Sequence, residues 1–256
     1  TEDIDVVHIG GAVIDAGLRP ALRAGKPVIW HLREYVERDH DMKYLHKQRA
    51  FQNYAKASCC ICVSESLTDY YRQELPNTRI ESIYNGILSQ HELDKLSQCR
   101  RTLYASGGVW KMVFLGGVRE TKGTYELLSA LVEFRKRNKV DFRLDIYGSA
   151  SSEDKARLTD LLANSGLADC VEYKGWVKID SRLLRKYDIS FTCSRSEAFG
   201  RVTAEAMCNR VLVIGANAGG TAELIGNGRG ILYQAGNSAD LARSIERVVT
   251  GNIDYY

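Results

Sequence analysis

Two glutamates eight positions apart, Glu197 and Glu205, bracket Phe199-Gly200 in the segment SRSEAFGRVTAEAM that runs from Ser194 to Met207. A buried-type strand precedes this segment and a helix-favouring run follows it. With the helix starting near Gly200, Glu205 lies about 7.5 Å along the axis at about 1.5 Å per residue. Helix N-termini take anions, because their first N–H groups have no partner within the helix. A nucleoside diphosphate seated there would carry its ribose toward Glu205, which can accept from both ribose hydroxyls. Glu197, in the loop, would face the group beyond the β-phosphate. A second turn, LGGVRETKG from Leu115 to Gly123, also follows a strand and opens a helix. It exposes backbone N–H groups and places Lys122 where a phosphate could be met. Neither G-x-x-x-x-G-K-[ST] nor G-x-G-x-x-G is present, and the run Gly226 to Gly230 has the wrong spacing and precedes a strand, so ATPase and dinucleotide fingerprints are missing.

The remaining candidates are weaker. His31 ends a strand, where an isolated histidine is more often structural than functional. Asp39-His40-Asp41 is a D-x-D of the kind that can hold a divalent ion, but it lies in the charged, helix-favouring stretch Arg38 to Lys47 and reads as a solvated face. The basic run Arg135 to Lys139 ends a helix, where cations complement the dipole; contact with an anionic membrane is the minority reading. Seven cysteines, odd in number and scattered apart from the run Cys59-Cys60-Ile61-Cys62, read as neither a zinc site nor a disulfide framework. The Cys59–Cys62 run reads as an interior strand.

The elements that must position these residues alternate. Short β-rich runs at Asp5–Ile9, Pro27–His31, Cys59–Ser64 and Arg79–Tyr84 are separated by helix-favouring segments such as Tyr35 to Lys56. Asn85-Gly86 is a turn, and Ser89 to Gly108 is polar and irregular. The alternation resumes at Lys111–Leu115 and continues through strands at 142–147, 170–176, 189–193, 211–214 and 231–233, with helices between them and a last one at 238–249. Such βαβ grammar predicts parallel sheets with helices on their faces and ligands beyond the carboxyl ends of the strands. The domain boundary is expected near residue 100, dividing the chain into 1–100 and 101–256.

Composition fits. The 256 residues carry 35 Lys plus Arg against 32 Asp plus Glu, a net charge of +3, with 45% hydrophobic residues. Disorder and coiled coil are excluded, nucleic-acid binding is not announced, and anionic small molecules remain open as ligands. No run approaches a membrane span, and the start TEDIDVVHIG lacks a signal peptide's pattern. A cytoplasmic protein is the expectation.

The sequence resembles the retaining nucleotide-sugar glycosyltransferases of the GT-B fold, glycosyltransferase family four (group 1) type. The motifs HIGG, HLREY, CVSES, IYNGI, FLGGVRETKG, IYG, YKGWV, SRSEAFGRVTAEAM, GANAGGTAELI and GNGRGILY follow in that family's order over nearly the whole chain. The resemblance implies an α/β fold of two Rossmann-like domains facing a cleft, and transfer of a sugar from a UDP- or GDP-sugar to an acceptor hydroxyl, in cell-surface polysaccharide or glycolipid synthesis. It implies catalytic roles for Glu197, Lys122 and His31. It implies donor binding by Glu205, Arg119, Gly117, Phe199, Gly200, Arg201, Trp176 and Val177, with Gly175-Trp176-Val177 holding the base. No metal or other cofactor is implied. Expected partners are the donor and a sugar, lipid-linked or polysaccharide acceptor, with no nucleic acid; peripheral contact at the inner face of the membrane is a further expectation. Two departures stand out. Gly117 occupies the place where the family usually has Arg, with Arg119 two positions on as the substitute. The chain is also expected to begin at a middle strand of the first domain and to stop before the last helix, leaving that domain incomplete and its sheet edge open. The alternatives are a non-catalytic nucleotide-sugar-binding module and, more distantly, a nucleotide-sugar epimerase of the same fold.

Overall fold

The β-branched and small apolar runs form parallel strands in two sheets, in a computed structural model that describes residues 3–39, 42–97 and 108–251. Two compact units result, one reaching to Gly86 and taking in Ser196–Phe199, the other comprising Ile87–Arg195 and Gly200 onward. The expected boundary near residue 100 lies outside the described residues, and so does Cys99.

In the first unit β1 (Val7–Gly10), β2 (Val28–Leu32), β3 (Cys59–Cys62) and β4 (Ile80–Ser82) pair in chain order, all parallel. Helices α1 (Leu18–Arg23), α2 (Lys47–Tyr54) and α3 (Glu65–Glu74) connect them. β3 is an inner strand, as its composition suggests, with Cys60 and Cys62 fully buried. Burial pushes both thiols up to about 12, which removes them from redox or metal work near neutral pH. β1 and β4 are the edges.

The stretch after β2 corrects the sequence reading. Helix occupies only Lys47–Tyr54 of the expected 35–56. Val36 has φ 68, and the Glu37 N–H donates to the Tyr35 carbonyl at 2.8 Å, so the chain makes a γ-turn instead of a helical one. Asp39 explains why. It is buried, not solvated, and its Oδ2 accepts the Tyr35 N–H at 2.9 Å, the competition with the helix ladder that short polar side chains offer. His40 and Asp41 lie outside the described residues. The polar stretch from Ser89 holds a helix, α4 (Gln90–Ser97), opened by a capping box in which the Ser89 hydroxyl and the Glu92 carboxylate each accept the other's backbone N–H.

The second unit has strands β5 (Trp110–Phe114), β6 (Phe142–Tyr147), β7 (Val171–Gly175), β8 (Ile189–Thr192), β9 (Leu212–Ala216) and β10 (Ile231–Tyr233). Their spatial order is β10-β9-β8-β5-β6-β7, all parallel. Helices α5 (Thr124–Arg137), α6 (Ser152–Ser165), α7 (Ser181–Leu184), α8 (Arg201–Cys208), α9 (Gly219–Ile225) and α10 (Ser238–Val249) cover both faces. One face buries Leu127, Leu131, Phe134, Leu241 and Ile245 with β5, β6 and β8, and the other buries Tyr187, Ala206 and Ile225 with Val113 of β5 and Val213 of β9. From β5 the chain winds to β7 in one direction, then crosses back to β8 and winds to β10 in the other. The carboxyl ends of β5 and β8 therefore flank the switch point, where parallel sheets open a crevice for ligands.

Candidate functional site

At that switch point the two glycine-containing turns meet. Gly123, in the left-handed region at φ 75, is the N-cap of α5, and a Cβ there would stand 2.3 Å from the Cys193 carbonyl oxygen at the end of β8. Only glycine lets the backbone after β5 press this closely on β8. Gly117, at φ 71, is pressed as hard on its other side, where a Cβ would stand 2.2 Å from the Ser149 carbonyl oxygen. The Gly117 N–H donates to the Tyr147 carbonyl at 2.8 Å and the Val118 N–H to the Ser149 carbonyl at 3.0 Å, which extends the β5–β6 pairing beyond both strands. Thr124, fully buried, closes the turn from inside by donating its hydroxyl to the Gly117 carbonyl at 2.9 Å. Any side chain at Gly117, the Arg that the resemblance leads one to expect included, would run into that carbonyl oxygen.

Arg119 is exposed, and its Nη2 donates to the Ser149 hydroxyl at 2.6 Å. The guanidinium thus stays on the paired loops after β5 and β6, with no ion pair among the described residues. Lys122 is half-buried one residue before the α5 cap. Gly200, at φ 91, is the N-cap of α8, and Arg201 and Glu205 lie one turn apart on that helix. Arg201 Nη2 donates to Glu205 Oε1 at 3.2 Å, with the arginine side chain mostly exposed and the glutamate side chain mostly buried. Trp176, at 76% exposure, stands out from the turn after β7 while Val177 packs on the core beneath it. An indole that open in a loop at the ligand end of a sheet offers a stacking face.

The structure brings Gly117, Arg119, Lys122, Gly200, Arg201, Glu205, Trp176 and Val177 to one end of the second unit's sheet. It assigns Glu197 and Phe199 to the first unit, with His31. There the Ser64 hydroxyl donates to the Ala198 carbonyl at 2.5 Å, and the Phe199 ring lies 6.1 Å from that of Tyr84. The His31 ring stacks on His8 at 5.6 Å, and its Nε2 is buried without a hydrogen-bond partner. Burial first, then the Arg33 and His8 charges, lower its pKa from the ordinary value. His31 therefore stands neutral at neutral pH.

Sequence reasoning missed a carboxylate under the site. Glu126 on α5 has a side chain only 7% exposed. Its Oε1 accepts from the Tyr233 hydroxyl at 2.7 Å and the Gly236 N–H at 3.1 Å, and its Oε2 from Arg195 Nη2 at 3.4 Å. Arg195 lies in the turn after β8, so Glu126 holds that turn to the end of β10. Among the described residues no three His, Cys, Asp or Glu side chains gather as a metal site would need. No helix among them is long and apolar enough to cross a membrane.

The profile described as "Glycosyl transferases group 1" matches residues 100–255, and that of "Glycosyltransferase Family 4" matches residues 1–90. The chain belongs to the group 1 glycosyl transferases. This group 1 glycosyl transferase is 31% identical over 139 residues to the D-inositol 3-phosphate glycosyltransferase of Paenarthrobacter aurescens, an alignment covering 53% of this chain and 34% of the relative. It is 31% identical over 134 residues to the lipopolysaccharide core biosynthesis mannosyltransferase LpcC of Rhizobium leguminosarum, over 51% of this chain and 38% of that one. The chain thus spans little more than a third of the length of these relatives. Anabaena HepE, solved in complex with UDP, superposes with a TM-score of 0.74 at 24% identity, over 92% of this chain and 66% of its own. A glycosyltransferase from Rickettsia africae gives 0.75 at 20% identity, over 96% and 67%. These likenesses establish the α/β GT-B fold.

Proposed function

We propose that this group 1 glycosyl transferase binds a nucleoside-diphosphate sugar on its second unit and transfers the sugar, with retention, to an acceptor hydroxyl. The observation that carries the reading is the meeting of two glycine-built turns at the β5/β8 switch point, each opening a helix, with Glu205 one turn into α8. The diphosphate would lie on the N–H groups that open α8, beside Lys122 and Arg119, and the ribose on Glu205. The base would stack at Gly175-Trp176-Val177. HepE has also been solved with UDP-glucose, which supports a donor of this kind.

In the transfer, the bond from the anomeric carbon to the β-phosphate oxygen breaks and its electron pair stays on the departing diphosphate. The acceptor oxygen bonds to the anomeric carbon from the same face, and its proton passes to the diphosphate. Negative charge grows on the phosphate as the sugar becomes cationic. Fixed N–H donors and two cations aimed there stabilise the transition state more than the ground state. They supply the charge that a divalent ion would otherwise bring, so EDTA should leave activity unchanged.

The test is calorimetry with UDP and GDP, then transfer from UDP-glucose and GDP-mannose, on the wild type and on Glu205→Ala and Lys122→Ala. One nucleotide should bind in preference. Glu205→Ala should lose affinity about tenfold or more, the worth of a charge-assisted hydrogen bond, and Lys122→Ala should lose turnover. Equal, millimolar binding of both nucleotides by the folded protein would refute the site. Because the chain spans little more than a third of its curated relatives, a second reading is a donor-binding module; it holds if donor binds and no acceptor supports turnover.

A further inference from the structure

A chain of three polar side chains runs beside the turn that carries Trp176, and the transfer itself makes no use of it. The Tyr187 hydroxyl donates to Asp145 Oδ2 at 2.6 Å and lies 2.9 Å from the Tyr147 hydroxyl. A phenol has one hydrogen to give. Tyr187 gives its own to Asp145, so Tyr147 donates to Tyr187 and the chain has one direction. The two rings meet edge to face with centroids 6.4 Å apart, and both residues are buried. Burial first, then the hydrogen bonds to Asp145 and Tyr147, push the Tyr187 phenol above its ordinary value, which keeps it a donor.

Tyr147 is also a junction of the backbone. Its carbonyl accepts the Gly117 N–H at 2.8 Å, which holds the turn after β5. Across the sheet it pairs with Gly175, the residue before Trp176. The register slips there: Ile146 faces Tyr173 and Tyr147 faces Gly175, with Lys174 passed over. Such a bulge re-aims the side chains that follow it, and bulges are over-represented beside active sites. Two hydrogen bonds hold the slip. The Gly148 N–H donates to the Gly175 carbonyl at 2.9 Å, and the Tyr173 hydroxyl donates to the Gly148 carbonyl at 2.8 Å. On the other side of Trp176, Val177 packs against the cluster that contains both phenols. The exposed indole has little packing of its own to fix its pose. Its two neighbours set that pose, one through Tyr147 and the other through the cluster that the phenol chain ties together.

We infer that Tyr147 and Tyr187, anchored on Asp145, are positioning residues that preorganise the Gly175-Trp176-Val177 turn for the base of the donor nucleotide. Resting on the donor site proposed above, this gives the two hydroxyls a share in base binding and none in phosphate binding. A seat fixed before the ligand arrives spares the complex the cost of ordering it, so loosening the seat reads as lost affinity.

The test is calorimetry of the whole chain with UDP, GDP and inorganic pyrophosphate, which offers the phosphates without a base. Tyr187→Phe removes the middle hydroxyl and nothing else. It should weaken the preferred nucleotide about fivefold or more, as expected when two hydrogen bonds of a buried chain are broken, and leave pyrophosphate within about twofold. Tyr147→Phe should act in the same direction. In a Trp176→Ala background, Tyr187→Phe should change nucleotide affinity by less than about twofold, because a residue that acts through another adds nothing once that other is gone. This cycle decides where pyrophosphate is too weak to saturate. Circular dichroism melts check folding, and if Tyr187→Phe does not fold, Tyr147→Phe takes its place. An equal loss for nucleotide and pyrophosphate overturns the inference, since it marks a general loosening of the unit. So does a loss that adds in full to that of Trp176→Ala. Wild-type protein that binds neither nucleotide more tightly than pyrophosphate defeats the donor site and the inference together. A nucleotide preference in the wild type that both folded phenylalanine variants keep defeats the inference alone.

Discussion

Gly117 and Gly166 provide a matched pair for testing the phosphate-side turn. Both have φ 71, so an alanine at either position meets the same backbone strain, roughly 1–2 kcal/mol for a left-handed L-residue. Their surroundings differ. At Gly166, the C-cap of α6, a Cβ would find nothing within 4 Å, whereas at Gly117 it would lie 2.2 Å from the Ser149 carbonyl oxygen and 3.0 Å from the Ser149 nitrogen. Backbone cannot rotate away as a side chain can, so the loop after β6 must shift. That shift strains the Gly117 N–H bond to Tyr147 and the Val118 N–H bond to Ser149. Each is worth about 1 kcal/mol net. Gly166→Ala should therefore cost about 1–2 kcal/mol and Gly117→Ala about 3–4 kcal/mol. In a unit of this size the difference of about 2 kcal/mol is about 4–8 °C in melting temperature. Thermal melts followed by circular dichroism read this directly, and calorimetry with UDP and GDP reads its consequence. Gly117→Ala should weaken nucleotide binding while Gly166→Ala leaves it unchanged. Equal melting shifts, or wild-type nucleotide affinity in Gly117→Ala, would refute the close-approach argument.

Tyr233→Phe removes a donor to Glu126, whose side chain is 7% exposed; a loss of about 1–3 kcal/mol is expected in urea unfolding, and a change under about 0.5 kcal/mol, ordinary surface-mutation scatter, would show that the carboxylate finds water instead. Burial holds the thiols of Cys60, Cys62 and Cys193 up to about 12, so alkylation of the native protein at about pH 8 followed by mass spectrometry should label none of the three. Labelling of native Cys193 would contradict its placement in the core. His31 has a folded pKa below its ordinary 6.5, so the unfolded chain takes up that proton first. Its contribution is constant above about pH 6.5, and stability falls as pH drops from there through the folded value. The melting temperature of His31→Gln should accordingly decline less than that of the wild type between about pH 7.5 and about pH 5, and identical declines would show that His31 titrates normally.

Local patterns carried most of this into the sequence. The βαβ alternation, the buried character of Cys59–Cys62 and the two strand-to-helix turns are each set by neighbours in the chain, and each can be read there. Glu205 is legible because a helix converts a count of residues into a distance. Glu126 is not, because its partners Arg195, Tyr233 and Gly236 lie 69, 107 and 110 positions away, and only the folded sheet brings them together. The stretch after β2 was misread for a related reason. Its charges suit a helix, and nothing in their pattern reveals that Asp39 will turn inward to hold the Tyr35 N–H. The demand for glycine at Gly117 likewise comes from a carbonyl 32 residues on, at Ser149.

Glu126 has a consequence for engineering. It ties the turn after β8 to the turn after β10, so Gln234 to Asn237 behave as a remote tuning screw and not as a silent surface loop. Insertions or register slips at this sheet edge, a position usually treated as permissive for tags and fusions, would reach Arg195, two residues before Glu197. Splice points are better chosen at the exposed C-cap of α6, around Gly166, which faces open space.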